Sequence, residues 1–232
     1  MKETEIAKVE KRYARRSVGD RYSLLRPENW LTIQERQRAI IQIFSHNLGW
    51  NDLSGIKLTE IGCGDGGNLL EFLRLGFLSQ HLCGIELLTE RAAQARGNLP
   101  QSLVLLEGDA ASIDLPAMSQ DVVYQSVVFS SILDNEFQKK LANRMWLWVK
   151  PGGGVLWYDF VYNNPLNPDV RGVSIKRVRE LFPNGDMIIR KITLAPPLSR
   201  MFSRFHPYAY YLLNFFPMLR THRLIWIGKS VE

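Results

Sequence analysis

The stretch KLTEIGCGDGGNLLEFL, residues 57–73, decides how the rest of the chain is read. Four glycines fall within six positions, Gly62, Gly64, Gly66 and Gly67, with apolar runs on both sides. Glycine loses more conformational freedom on ordering than any other residue, so four together mark a backbone that turns sharply or approaches something closely. The run ahead of them predicts a short strand over 56–61. The run behind them, GNLLEFLRLG, predicts a helix closed by Gly76.

Working outward, strands and helices alternate. LCGIE (82–86) reads as a second strand, TERAAQARGNL as a helix, SLVLLEGD (102–109) as a third strand and DVVYQSVVF (121–129) as a fourth. NEFQKKLANRMWLWVK (135–150) is an amphipathic helix, and PGGGVLWYDF (151–160) is a turn followed by a fifth strand. Alternation of this kind predicts right-handed βαβ units, hence an α/β, doubly wound, Rossmann-like sheet with helices on both faces. Upstream, TIQERQRAIIQIFSHNL (32–48) has helical spacing, with Thr32 and Glu35 as a capping box. Downstream come a helix (174–182), a strand (187–195), a Pro-broken aromatic segment (196–220) and a last strand (222–228). There is no internal repeat. The expected division is a single domain over 1–232, with an N-terminal helical cap (1–50), a core (56–160) and an insertion (196–220).

The 232 residues are 46% hydrophobic, enough for one domain with a real core. The two cysteines, Cys63 and Cys83, fit a reduced, cytoplasmic protein rather than a disulfide scaffold. No His/Cys/Asp cluster has metal-ligand spacing, so no metal is expected. The charged start predicts no signal peptide, and the apolar stretches are too short and interrupted to span a bilayer. The net charge of +6 is uneven: residues 1–38 carry +4, residues 39–170 carry −6 and residues 171–232 carry +8. An acidic middle between basic flanks points to different work for each part.

Ligands of an open parallel sheet bind beyond the strand carboxyl ends, where the glycine loop lies. Gly62-Cys63-Gly64-Asp65-Gly66-Gly67 satisfies the G-x-G-x-x-G dinucleotide pattern. Glu60-Ile61-Gly62-Cys63-Gly64-Asp65-Gly66 also satisfies an acid-x-G-x-G-x-G pattern. Glu86, at the end of the second strand, has the chemistry to accept both hydroxyls of a ribose in either case. Asp109, in EGDA (107–110), is placed to take an adenine amino group, with the Ala110 N–H reaching a ring nitrogen.

With EIGCGDG, GIE, EGDA and KPGGGVLWYDF in place, residues 56–160 resemble the class I S-adenosylmethionine-dependent methyltransferases, of the small bacterial type found among glycan and natural-product enzymes. The tail resembles that subgroup more weakly. The resemblance implies seven strands with the last antiparallel, and S-adenosyl-L-methionine as cofactor. It places Gly62, Cys63, Gly64 and Gly66 against the methionine and ribose, Glu60 near the methionine ammonium, Glu86 on the ribose, and Asp109 and Ala110 on the adenine. Asn68, Leu87, Gly108 and Gln125 complete the implied cofactor surface.

An antiparallel seventh strand begins at the carboxyl edge. Residues 13–30 and 196–220 are then expected to meet above the cofactor as a cap and a lid. They bring Arg15, Arg16, Arg21 and Arg26 from one side and Arg200, Arg204, Arg220 and Arg223 from the other. Clustered arginines favour a small acceptor carrying phosphate or carboxylate. Tyr208, Tyr210, Tyr211, Phe215 and Phe216 are expected to form the lid's own core. Asp159, His222 and Tyr22 are the candidate catalytic residues, with Tyr13 and His206 also at the mouth. His81 falls at the wrong end of the sheet, and His46 ends a helix.

The segment after the fourth strand, QSVVFSSI, lacks the Asn/Asp-Pro-Pro-Tyr of many amino-methylating relatives, which lowers nucleic-acid and protein acceptors. Transfer to a hydroxyl of a sugar or natural-product-like metabolite is the favoured reading. A tRNA or other macromolecular acceptor, an NAD(P)-dependent oxidoreductase and a non-catalytic cofactor-binding protein are the alternatives. The oxidoreductase would need a Tyr-x-x-x-Lys relay or its equivalent, which is absent.

Overall fold

The computed structural model describes residues 3–15, 23–165, 167–203, 206 and 208–231. Seven strands form one sheet in the order β3-β2-β1-β4-β5-β7-β6. They are β1 (Leu58–Ile61), β2 (Leu82–Glu86), β3 (Val104–Glu107), β4 (Gln120–Ser126), β5 (Val149–Phe160), β6 (Asp186–Leu194) and β7 (Arg220–Gly228). All neighbours through β5 pair in parallel, and β7 runs antiparallel to both β5 and β6. The expected last antiparallel strand is therefore present. The order reverses between β1 and β4, which makes their carboxyl ends the switch point.

The helices are α1 (Glu5–Ala14), α2 (Pro27–Gln42), α3 (Gly67–Arg74), α4 (Thr89–Asn98), α5 (Asn135–Trp148), α6 (Ile175–Leu181), α7 (Pro196–Ser203) and α8 (Tyr208–Asn214). One face of the sheet buries Leu58, Tyr124, Tyr158 and Trp226 against Ile40, Phe44, Leu69 and Ala95 of the helices. The other buries Ile61, Val123, Trp157 and Ile225 against Leu141, Met145 and Val178. Alternate residues of each central strand supply the two faces, the period expected of a sheet covered on both sides.

Two local expectations differ. The helix read over 32–48 starts earlier, with Pro27 in its first turn, and ends in a π-helical turn, Ile43–Asn47. Thr32 and Glu35 therefore lie inside the helix and form no capping box. PGGG is not a turn; it belongs to β5. A Cβ on Gly153 would lie 2.6 Å from the Asp121 carbonyl oxygen, and one on Gly154 would lie 2.5 Å from the Trp226 ring. These glycines bring β5 close to its neighbours instead of reversing the chain.

α7 and α8 pack on α2 and β6 around buried Leu31, Leu194 and Tyr210. Glu35 holds this junction together. Its carboxylate accepts from the Thr193 N–H (3.0 Å), the Tyr210 hydroxyl (2.7 Å) and the Asn214 amide (2.7 Å). Thr193 is held at φ +66°, a conformation unfavourable for a β-branched residue. Of the aromatics expected to form a lid core, only Tyr210 is buried; Tyr208, Tyr211, Phe215 and Phe216 face outward. None of the described helices is long and apolar enough to cross a membrane.

Glu35→Ala leaves three donors without their acceptor and is expected to cost about 2–4 kcal/mol in urea unfolding. Hydrogen exchange should show the loss of protection concentrated in α7 and α8.

Candidate active site

The glycine loop wraps the carboxyl end of β1. The N–H groups of Gly62 and Cys63 both donate to the Ile85 carbonyl, at 2.7 and 3.1 Å. Gly62, Gly64 and Gly66 take φ of +64°, +61° and +88°, where a side chain would be strained. A Cβ on Gly62 would also lie 2.7 Å from Val128, and one on Gly66 would lie 2.8 Å from Leu99. Gly66 caps α3, so the helix N-terminus opens at the loop. The Cys63 side chain is buried in the core beside Gly84, so Cys63 offers the site only its backbone.

Glu86 is 4% exposed, and its carboxylate accepts from the N–H of Gly64 (2.7 Å) and of Leu88 (2.9 Å). It thereby clamps the loop to the end of β2, with Leu87 half-buried beside it. Each oxygen retains a second lone pair for a ligand hydroxyl. Gly108 donates to the Glu86 carbonyl at 2.9 Å and sits at φ +135°. Asp109 caps the turn that follows, accepting from the Ala111 N–H and the Ser112 hydroxyl, each at 2.8 Å. Ala110 is buried beneath it.

Glu60 is fully buried, and only one of its oxygens has a partner, the Asn68 amide at 2.6 Å. The other, Oε2, is buried with none. Burial pushes the carboxyl up to about 8, against the pull of Asn68 and Arg36. The Asn68 carbonyl in turn accepts from Arg36, which also donates to Ser126 at 3.1 Å. The guanidinium lies 5.1 Å from the Tyr158 ring centroid. Burial disfavours its charge, but Tyr124, Tyr158 and Glu60 around it more than offset this. No carboxylate pairs with it among the described residues. Sequence reading missed Arg36. A cation set among the apolar positions of IQERQRAII was the available signal, but it looks like any residue on a solvated helix face.

The catalytic candidates are not gathered. Asp159 pairs with Arg223 and His222 with Phe160 across β5 and β7, so Asp159 and His222 project from opposite faces of the sheet. Asp159 is buried and accepts from the N–H groups of Ser130 (3.1 Å) and Phe160 (2.9 Å). Burial still pushes it up to about 7, despite these bonds. It holds the turn after β4 rather than facing an open site. Gln125 is spent in the same place, accepting from the Val128 N–H and donating to the Tyr158 carbonyl. His222 stacks on Tyr158, with ring centroids 5.0 Å apart, and bonds Thr221 at 3.0 Å. Burial, with Arg36 and Arg223 nearby, lowers it to about 3, so it is neutral and weakly basic. Tyr22, Arg16, Arg21 and Arg204 lie outside the described residues.

The N-terminal segment does reach the carboxyl edge. Arg12 and Glu5 form a buried pair at 2.6 Å, and Arg12 donates to the Ser131 carbonyl while Glu5 accepts from the Leu133 N–H. Arg91 stacks 5.2 Å from the Tyr13 ring and reaches Gly64. The arginines expected at an open mouth are mostly engaged. Arg15 pairs with Asp169, Arg26 with Glu28, Arg220 binds the Asn214 carbonyl, and buried Arg223 binds the His222 carbonyl.

Residues 59–153 match the family described as "Methyltransferase domain". An S-adenosylmethionine-dependent methyltransferase from Mesorhizobium loti is 14% identical, with 83% of this chain and 95% of that chain covered at a TM-score of 0.59. A phosphoethanolamine N-methyltransferase 2 of Haemonchus contortus, in complex with S-adenosyl-L-methionine, is 18% identical, with 98% and 58% covered at 0.60. The cyclase SpnF is 14% identical, with 84% and 81% covered at 0.59. No curated protein matches the chain. The fold is that of the class I S-adenosylmethionine-dependent methyltransferases, and residues 59–153 match the methyltransferase-domain family.

Asp159 takes up a proton on folding, because its folded value of about 7 lies above the ordinary carboxylate value. Its contribution is therefore complete below about pH 4 and is lost as pH rises through about 7. Asp159→Asn should remove roughly 2–4 kcal/mol of the decline in stability across that window, read by urea unfolding at each pH.

Proposed function

We propose that this chain transfers a methyl group from S-adenosylmethionine to a hydroxyl of a small anionic acceptor, a sugar or natural-product-like metabolite. The observation that carries the cofactor half is the chain of polar contacts from Glu60 through Asn68 to Arg36. Among the described residues it offers one unpartnered carboxylate oxygen and one cation without a carboxylate, joined through Asn68 at the glycine loop. An amino-acid end carries an ammonium and a carboxylate, so it satisfies both. A pyridine dinucleotide has no ammonium, and the oxidoreductase reading leaves Glu60 unsatisfied.

In this reading Glu60 takes the methionine ammonium and Arg36 its carboxylate. Glu86 takes the ribose, and the turn of Gly108, Asp109 and Ala110 borders the adenine. When bound, the cofactor supplies an electrophilic methyl on a sulfonium. The protein's part is alignment and exclusion of water. His222 is too weak a base to ionise an acceptor hydroxyl before transfer, and Asp159 is committed to the turn at 127–131. Base assistance is then modest, and Asp159 acts as a positioning residue. Residues 1–50 serve as a cap and 196–220 as a lid, and α1, docked on 131–133, forms one wall of the acceptor pocket. The two unlinked cysteines support a cytoplasmic location.

Glu86→Ala should weaken S-adenosylhomocysteine binding by about 1–3 kcal/mol in calorimetry. Labelled S-adenosylmethionine offered with sugars, nucleotide-sugars, phenolic metabolites and tRNA should label a hydroxyl-bearing small molecule; label in tRNA alone would overturn the acceptor class.

Free Glu60 is protonated below about pH 8, and pairing with an ammonium needs the ionised form. Affinity for S-adenosylhomocysteine should therefore rise with pH between 6 and 8, approaching about tenfold per unit, and Glu60→Gln should flatten the profile.

A further inference from the structure

α8 and the turn after it present an apolar surface on which none of the described residues packs. Its inner side is Tyr210, fully buried and bonded to Glu35. Its outer side is Tyr208, Tyr211, Leu212 and Phe215, at i, i+3, i+4 and i+7, which share one helical face. Tyr208 is 74%, Leu212 69% and Phe215 76% exposed, and Met218 in the following turn is 82% exposed. Leu25, just before α2, is 94% exposed. α2 lies against the same unit, with Thr32 3.5 Å from the Tyr210 hydroxyl. A contiguous apolar surface of this kind on a folded chain marks an interaction site.

Charge decides between occupants. Residues 187–231 hold seven Lys/Arg and no Asp/Glu. Arg190 and Lys191 are exposed, and Arg220 is tied to the Asn214 carbonyl at the end of α8 and to the Lys191 carbonyl. Protruding aromatic and aliphatic side chains on a segment, 187–231, that carries cations and no Asp/Glu match the boundary between headgroups and acyl chains of an anionic bilayer. A second copy of this surface would set like charges against one another.

We propose that α8 and the turn over 215–218 form a membrane-contact surface that seats the protein on anionic lipid. The side chains enter the headgroup boundary and the helix lies on the surface, so no membrane-spanning segment is needed. The carboxyl edge of the sheet, from which this unit emerges, then faces the bilayer. The inference does not depend on the identity of the acceptor.

The test is co-sedimentation of the full chain with vesicles of phosphatidylcholine alone or with one third phosphatidylglycerol. Binding is expected to the second and to weaken as salt is raised. Phe215→Ser with Met218→Ser, and separately Leu212→Ser, should each lower partition about tenfold or more at an unchanged thermal midpoint. The proposal is overturned if the full chain ignores the anionic vesicles or if both variants bind like the parent. It is also overturned if the same substitutions instead dissolve a dimer in sedimentation velocity or abolish RNA binding.

Discussion

A carboxylate with one empty side organises the carboxyl edge of this sheet. Glu60 ends up fully buried because β1 is an interior strand, flanked by β2 and β4 and covered on both faces, and burial favours its neutral form. Such a group is costly unless something with matching charge arrives. Asn68 supports one oxygen and Arg36 supports Asn68, so three residues on β1, α3 and α2 are set by one requirement. The glycines follow from it too. A loop that leaves β1 just after Glu60 and returns to the start of α3 within a few residues takes positive φ at Gly62, Gly64 and Gly66. Glu86 fixes the result by accepting from Gly64.

The rest of the edge is rigidified by polar groups that face inward. Gln125 and Asp159 hold the turn after β4, where Val127 takes φ +55°. Glu35 holds α7 and α8 onto α2, and the Arg12–Glu5 pair holds α1 onto 131–133. Chemistry that relies on alignment rather than on a strong base gains from walls fixed in this way.

The core was legible because local signals agree there. Apolar runs, turn glycines and caps coincide from 56 to 160, and β2 has the bounds read from LCGIE alone. Glu60, Glu86 and Asp109 can be placed for the same reason, since each falls at or just past a strand end. What escaped the sequence was burial of charge. Glu35 has the spacing of a capping box and Arg36 that of a solvated helix face, yet both face inward, and neither fact follows from periodicity in a helix this polar. The aromatics of 208–216 went astray the other way. Their hydrophobicity suggests a core, but among the described residues α8 has one flank against the protein, filled by Tyr210 with Leu213 packed beside it. Asp159, closing β5, and His222, opening β7, are separate catalytic candidates in the sequence, both at the carboxyl edge. The pleat of β5 and β7 places them on opposite faces, which a one-residue offset decides.

The central claim is that Arg36 and Glu60 recognise the amino-acid end of the cofactor. Calorimetric titration of the intact protein and of Arg36→Met with S-adenosylhomocysteine and with adenosine separates that end from the nucleoside. The account predicts that Arg36→Met loses about tenfold or more in S-adenosylhomocysteine affinity while adenosine binding is unchanged. Equal affinity of both proteins for S-adenosylhomocysteine, or an equal loss for both ligands, would contradict it.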